Sequence, residues 1–156
     1  MSIKKVVLKQ YREIMNRAGS SAHSISFQKE GWIKTARTAL GMSVRQLADR
    51  LGVTRGYIYK AENAELEGGL TLKKMHEIAE AMDCQFVYAI VPAIAERTVE
   101  GTIEYRARKM ALEIEKKTHA NMALEAQSLS WDKREQEIER IVEELKDDPS
   151  VLWDKK

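Results

Sequence analysis

Apolar residues recur at helical spacing along most of this chain. In residues 42–63 two short amphipathic patterns follow one another, joined by Leu51–Thr54. Each pattern places its apolar residues on one face of a helix. Ser43 and Thr54 stand where the two helices need N-terminal caps, and Gly52 tolerates the positive φ of a tight turn. The pattern therefore predicts a helix-turn-helix arrangement.

The same spacing predicts further helices on both sides of this pair. The predicted helices are 3–17, 32–40, 72–82 with Thr71 as its cap, 94–117 and 131–146. Glycines and serines interrupt them, because such residues favour turns over helix interiors. The predicted breaks are a stop at Gly19–Ser21, a loop or short helix over 20–31, a loop over 65–70 and a connector over 121–130.

Residues 84–91 have a different pattern, since they are β-branched and aromatic and Pro92 closes them. They predict one short β-strand. A strand needs a partner, from its own chain or from a second subunit. No other segment has a strand pattern, so we expect the strand to pair between two subunits. The expected fold is mainly α, with this single strand and with added N- and C-terminal helices.

Composition excludes several protein classes. The chain of 156 residues has the size of one domain, or of a small domain with an extension. Cys84 is its single cysteine, which rules out an internal disulfide and fits a reducing cytoplasm. The sequence contains neither a signal-peptide core nor a run long enough to span a membrane. We therefore expect a cytoplasmic protein without a membrane partner.

Charge is unevenly distributed along the chain. Residues 1–63 hold 12 lysines and arginines against 4 acidic residues, whereas residues 64–156 hold 14 against 20. A basic half is typical of a protein that binds a polyanion such as double-stranded DNA. On charge alone, an ordinary solvated surface explains the distribution equally well.

The second helix of the pair carries cations and hydroxyls on its outer face. In such motifs the early residues of this helix meet base edges in the major groove, where an arginine can donate two hydrogen bonds to guanine. Other basic residues and the capped helix N-termini then contact phosphates. Chance packing of two helices in a bundle is the structural alternative. The predicted DNA-binding residues are Lys34, Arg45, Thr54, Arg55, Gly56, Tyr57, Tyr59 and Lys60.

Catalytic chemistry has little support in the sequence. His23, His76 and His119 are far apart, and none has a metal-ligand spacing with Cys84. Gly68 and Gly69 lack the lysine of a phosphate-binding loop. We expect no enzyme, no metal and no cofactor, which disfavours an enzyme fused to a DNA-binding module.

Residues from Trp32 to about Asp83 resemble the Cro/repressor-like helix-turn-helix family. The resemblance implies that Arg37 and Glu62 form the buried ion pair that often links the first and third helices of that family. A longer resemblance, to the mobile mystery protein A family, extends over roughly residues 31–127. Its motifs are Gly31–Ile33, Arg37–Ser43, Gln46–Ala48, Leu51–Val53, Leu70–Lys73, Ala79–Cys84, Phe86–Pro92, Arg106–Lys109 and Met122–Gln127.

The second resemblance implies a partner. Members of that family are typically encoded beside a Fic-domain protein, and Fic domains are typically AMP-transferases that act as toxins. Many Fic inhibitors share a short helix with Ser/Thr, then Glu four residues later, then Gly or Asn. Ser26, Glu30 and Gly31 match it. An anionic glutamate would compete with the ATP γ-phosphate for one arginine. Alternatively, Glu30 and Gly31 merely lead into the next helix, or the inhibitory helix lies in the Fic protein.

These patterns predict three segments: an N-terminal helix with a possible inhibitory element (1–30), the DNA-binding domain with its strand (31–92) and a helical extension (93–156). Two further contact surfaces are the stripe of Val7, Tyr11 and Ile14, and Met122–Gln127; both could equally pack inside the molecule. The expected function is a homodimeric antitoxin that inhibits a Fic toxin and represses its own operon. The alternative is a stand-alone dimeric repressor of a mobile element.

Overall fold

The computed structural model of the chain describes residues 3–93, 98–124 and 130–154. The regular secondary structure within these ranges is entirely helical. The α-helices are α1 (Ile3–Ala22), α2 (Trp32–Ala39), α3 (Val44–Leu51), α4 (Arg55–Leu66), α5 (Leu72–Ala81), α6 (Val99–Leu124) and α7 (Trp131–Asp147), followed by a 3₁₀ helix (Pro149–Trp153). The chain divides into two compact units: Ile25–Ala89, and Met1–Ser24 together with Ile90–Lys156.

The unit Ile25–Ala89 is a bundle of α2 to α5. Helix α3 contacts both α4 and α5, and α2 contacts α4. Ala48 is buried on α3, where its small side chain lets the neighbouring helix approach closely. The core is formed by residues that are at most 4% exposed: Ile33, Leu47, Ala48, Ile58, Ala61, Ile78 and Met82.

Side-chain caps fix where three of these helices begin. Ser43 and Gln46 form a reciprocal capping box, in which each side chain accepts the other residue's backbone N–H. The hydroxyls of Thr54 and Thr71 accept the backbone N–H groups of the third residue beyond them, at 3.2 Å. Gly52 is left-handed, with φ 68°. The three predicted caps and the predicted turn glycine are therefore confirmed.

The predicted β-strand over residues 84–91 is wrong for this chain, because the described residues contain no strand at all. A strand requires a second strand for its backbone hydrogen bonds, and the described part of the chain supplies none. Aromatic side chains pack here instead. The rings of Phe86 and Tyr88 stack at 6.0 Å, and the ring of His76 on α5 lies edge-on to Phe86 at 5.2 Å.

Helices α1 and α4 run beyond their predicted ends. Helix α1 passes through the predicted stop at Gly19–Ser21, where the hydroxyls of Ser20 and Ser21 donate to carbonyl oxygens one turn earlier. These local bonds let serines remain inside a helix. Helix α4 continues to Leu66 instead of ending at Asn63.

The second unit is built mainly on the contact between α6 and α7, with the 3₁₀ helix packed on both and α1 packed on α6. Helix α6 extends to Leu124, past its predicted end, while residues 94–97 and 125–129 lie outside the described part. No described helix combines the length and apolar character of a membrane span. The core residues of this unit are Ile103, Ala107, Ala111, Ile141, Val142 and Leu152.

Candidate nucleic-acid interface

Helix α4 separates a buried face from an exposed face. It begins at Arg55, directly after the Thr54 cap. Ile58 and Ala61 lie one helical turn apart and are buried in the core of the unit. The other side of the same turn presents Tyr59 and Lys60, both exposed. The α4 face, defined here as Arg55, Tyr59 and Lys60, is therefore held outward by the burial of its opposite side.

The cations of the α4 face are available for an anionic ligand. Neither Arg55 nor Lys60 forms an ion pair with any described residue, whereas most basic residues around them do. The pairs in this unit are Lys34–Glu30 at 2.5 Å, Arg37–Glu62 at 2.9 Å, Arg45–Asp49 at 3.7 Å, Arg50–Asp83 at 2.9 Å and Lys74–Glu77 at 2.7 Å.

Gly56 leaves the start of α4 open. A Cβ added there would meet only the Thr54 hydroxyl, at 3.8 Å. Another backbone can therefore come close to this turn of the helix. Arg45, on α3, is well exposed and only loosely paired, so it can also reach a phosphate. Lys34 differs, because its ammonium is bonded to Glu30 and must leave that carboxylate to contact DNA.

Tyr57 does not lie with the other predicted DNA-binding residues. Its side chain is half-buried and packs against the core of the unit. The ammonium of Lys74 lies 5.6 Å from the centre of its ring. The hydrogen bond to Glu77, and to a lesser extent the one to the Tyr57 hydroxyl, raises the pKa of Lys74. The ring of Tyr57 is therefore only partly exposed, its hydroxyl has a cationic neighbour, and its contact with DNA stays a prediction.

Arg37 and Glu62 connect α2 to α4 beneath this face. The Arg37 Nε atom donates to Glu62 Oε1 at 2.9 Å, and its Nη1 atom donates to the Met42 carbonyl at 3.1 Å. Both side chains are at most 12% exposed. One guanidinium thus connects three parts of the unit: α2, the turn before α3, and α4.

Glu65 is a structural residue that sequence reasoning missed. Its carboxylate accepts the backbone N–H of Trp32 at 2.6 Å and that of Ile33 at 3.0 Å, so it closes the N-terminus of α2 from α4. A carboxylate is favoured there because free N–H groups and the helix dipole converge at that end. Gly31 precedes α2 with φ 80° and ψ 163°.

A comparison with known protein families found one match, which lies within the unit Ile25–Ala89. A family model described as Helix-turn-helix matches residues 33–88, from the second residue of α2 to beyond the end of α5. The chain contains a helix-turn-helix domain of the Cro/C1 type. A domain of this kind indicates DNA-binding transcription regulation. No curated protein and no solved structure matched the chain.

The residues predicted to inhibit a toxin precede the helix-turn-helix domain's first helix. Ser26 lies in a segment without helix, and Glu30 lies in the turn before α2. Both are exposed, and Glu30 bonds Lys34. The likeness to a helical inhibitory element is thus one of sequence and not of local backbone. Gly31 has a structural role, since a Cβ there would meet Glu65 Oε2 at 2.7 Å.

The described residues contain no group of three His, Cys, Asp or Glu side chains placed to hold a metal ion. His76 belongs to the aromatic cluster with Phe86 and Tyr88. Cys84 is half-buried, and its thiol donates to the Met82 carbonyl at 3.4 Å. The predicted contact surface Met122–Gln127 falls on residues whose side chains lie outside the described part.

Proposed function

We propose that this chain represses its own operon by binding double-stranded operator DNA through the α4 face. The observation that supports this most strongly is that Arg55 and Lys60 are exposed and form no ion pair with described residues, whereas most other cations of the domain do. Arg55 suits a guanine edge in the major groove. Lys60, about a turn and a half further along α4, suits a base or a phosphate.

The repressor is proposed to act as a homodimer. Residues 84–91 carry no charge and expose Val87 at 68%, Tyr88 at 65% and Ile90 at 85%. Two such segments can pack against each other across a two-fold axis without like-charge repulsion, and this contact would cover their exposed apolar side chains. A Val87→Asp variant is expected to sediment as a monomer. Val151→Asp, at an exposed valine of the other unit, serves as the matched control and should leave the dimer intact.

A footprint on the DNA upstream of the chain's own coding sequence tests the repressor. A two-fold dimer should protect two half-sites centred about 34 Å apart, one helical turn. Val87→Asp should weaken protection of both half-sites together. A chain that protects no upstream sequence, or that protects one half-site with unchanged affinity as a monomer, contradicts the proposal.

We also propose that the chain is an antitoxin that inhibits a Fic-domain AMP-transferase. The resemblance to the mobile mystery protein A family supports this role, and so does the exposed carboxylate of Glu30. Among the described residues Glu30 is bound only by Lys34, one turn away, so its carboxylate can turn towards an arginine of another protein.

The antitoxin role is tested with purified Fic-domain protein, labelled ATP and a protein acceptor. Wild-type chain should suppress AMP transfer, and Glu30→Gln should restore it. Glu67→Gln changes an exposed glutamate that has no ion pair with described residues, so it should inhibit like the wild type. Full toxin activity in excess wild-type chain would exclude the antitoxin role. Inhibition by Glu30→Gln would exclude only the Glu30 mechanism.

A stand-alone dimeric repressor of a mobile element is the second candidate. Its support is the structural role of Gly31, which fully explains one of the three motif residues, and the non-helical backbone at Ser26. In that case operator binding should be tight and salt-dependent, and added Fic-domain protein should neither bind the chain nor lose activity.

A further inference from the structure

Helix α1 has an apolar face that no described residue covers. The residues of this face follow one another at spacings of four, four and three, which align them on one side of a helix. The fractions exposed are 84, 40, 65 and 61%, well above those of core residues. These four residues, called the α1 stripe, are Ile3, Val7, Tyr11 and Ile14.

The α1 stripe faces away from the contact that holds α1 in its unit. The polar part of that contact is made at Asn16, whose side chain donates to Glu100 at 2.7 Å and accepts the Val99 backbone N–H at 2.8 Å. Asn16 is two residues from Ile14, about 200° around the helix axis. Packing at Asn16 therefore leaves Ile3, Val7 and Ile14 on the far side of α1, whereas Tyr11, 65% exposed, lies at the edge of the stripe nearest to α6.

Helix α1 carries an excess of cations that form no ion pair with described residues, although the charges of Arg12 and Lys4 act on Glu100 and Asp148. Helix α1 has five basic residues against Glu13 alone, and none of the five forms an ion pair with a described residue. Elsewhere in the same unit such pairs are frequent, for example Arg108–Glu139, Arg134–Glu115 and Lys146–Glu104. The unpaired basic residues are Lys4, Lys5, Lys9, Arg12 and Arg17.

This combination identifies the class of partner. A second copy of α1 is disfavoured, because two strongly basic helices repel each other along their length. A lipid surface is disfavoured as well, since the stripe lacks the Trp, Phe and Leu residues on which interfacial helices rely. A protein groove with an apolar floor and an acidic rim complements both the stripe and the cations.

We propose that α1 docks, as a helix in a groove, on a protein partner whose groove has an apolar floor and acidic residues on its rim. The inference rests on the antitoxin half of the proposed function, in which that partner is the Fic-domain toxin. Helix α1 would supply binding energy, while Glu30 would act at the toxin's catalytic site.

Binding of the full-length chain to purified Fic-domain protein tests this surface. Tyr11→Ser combined with Ile14→Ser should raise the Kd at least tenfold. Tyr105→Ser combined with Ile114→Ser, an exposed Tyr and Ile on α6, is the matched control and should leave Kd unchanged. Lys5→Glu with Lys9→Glu should also weaken binding, and more at low salt; Lys116→Glu with Lys117→Glu should not. Circular dichroism confirms that every variant is folded.

The results distinguish failure of the antitoxin function from failure of the α1 docking surface. Absence of binding by the wild-type chain overturns the antitoxin function itself. Binding that all four variants retain overturns only the α1 surface, and so does an equal loss in the control variants. If the stripe variants lose binding to phosphatidylserine vesicles but keep binding to the toxin, α1 is a lipid-binding helix instead.

Discussion

The carboxylate of Glu65 occupies the space in which a side chain on Gly31 would stand. An added Cβ at Gly31 would lie 2.7 Å from Glu65 Oε2, closer than real Cβ contacts allow. The same carboxylate binds the first two backbone N–H groups of α2. Gly31, which the sequence places in an inhibitory motif, therefore has a structural role: it leaves room for the carboxylate that connects α4 to α2.

Gly31→Ala should destabilise the helix-turn-helix domain by about 3 kcal/mol. The substitution adds strain, because Gly31 has backbone angles that are almost exclusive to glycine, and it displaces the Glu65 cap. Gly41→Ala is the matched control: φ there is 66°, but nothing lies within 4 Å of its added Cβ. That variant should lose only about 1 kcal/mol. Urea unfolding measures both, and equal losses would disprove the contact with Glu65.

Breaking one side of the Arg37–Glu62 pair should cost more stability than replacing both sides. Glu62→Leu leaves a buried guanidinium without its carboxylate and should lose about 3–5 kcal/mol. Adding Arg37→Met removes that buried charge and should recover part of the loss. A double-mutant cycle by chemical denaturation measures the coupling. A double variant less stable than either single variant would contradict this assignment.

Glu115 should make the α6–α7 unit sensitive to acid. Hydrogen bonds from Arg134, at 2.5 and 3.1 Å, lower the pKa of this buried carboxyl below its ordinary value of 4.5. The pair therefore stabilises the folded state above about pH 4.5, and the contribution disappears as pH falls through the folded pKa. Glu115→Gln should lower Tm at pH 7, with a difference from wild type that narrows by pH 3. The exposed Glu135→Gln should show no difference at either pH.

Local sequence signals were sufficient to predict most helices of the helix-turn-helix domain and the residues that cap them. Ser43, Thr54 and Thr71 act on N–H groups within three residues, so their roles follow from position in a short window. Periodicity also predicted a helix over 131–146, where the structure has α7. Both kinds of inference use interactions that are local along the chain.

Interactions between residues that are distant along the chain could not be predicted from local sequence patterns. Glu65 caps a helix 33 residues earlier, and no short-range pattern links it to Trp32. The β-branched segment 84–91 has the composition of a strand, yet a strand is a property of two segments and the described chain provides one. At the candidate site, helical periodicity placed Tyr57 outward, because it does not distinguish a ring packed at the margin of the core from an exposed one.

DNA-binding specificity of an Arg55→Ala variant tests the central claim most directly. Fluorescence anisotropy at one fixed salt concentration gives Kd for the footprinted upstream sequence and for a scrambled duplex, and their ratio measures specificity. Arg55→Ala should reduce this ratio by roughly 5- to 150-fold while weak non-specific binding persists, as expected for the loss of one guanine contact. Arg17→Ala, an exposed unpaired arginine on α1, should leave the ratio unchanged. An unchanged ratio for Arg55→Ala would contradict DNA recognition through the α4 face.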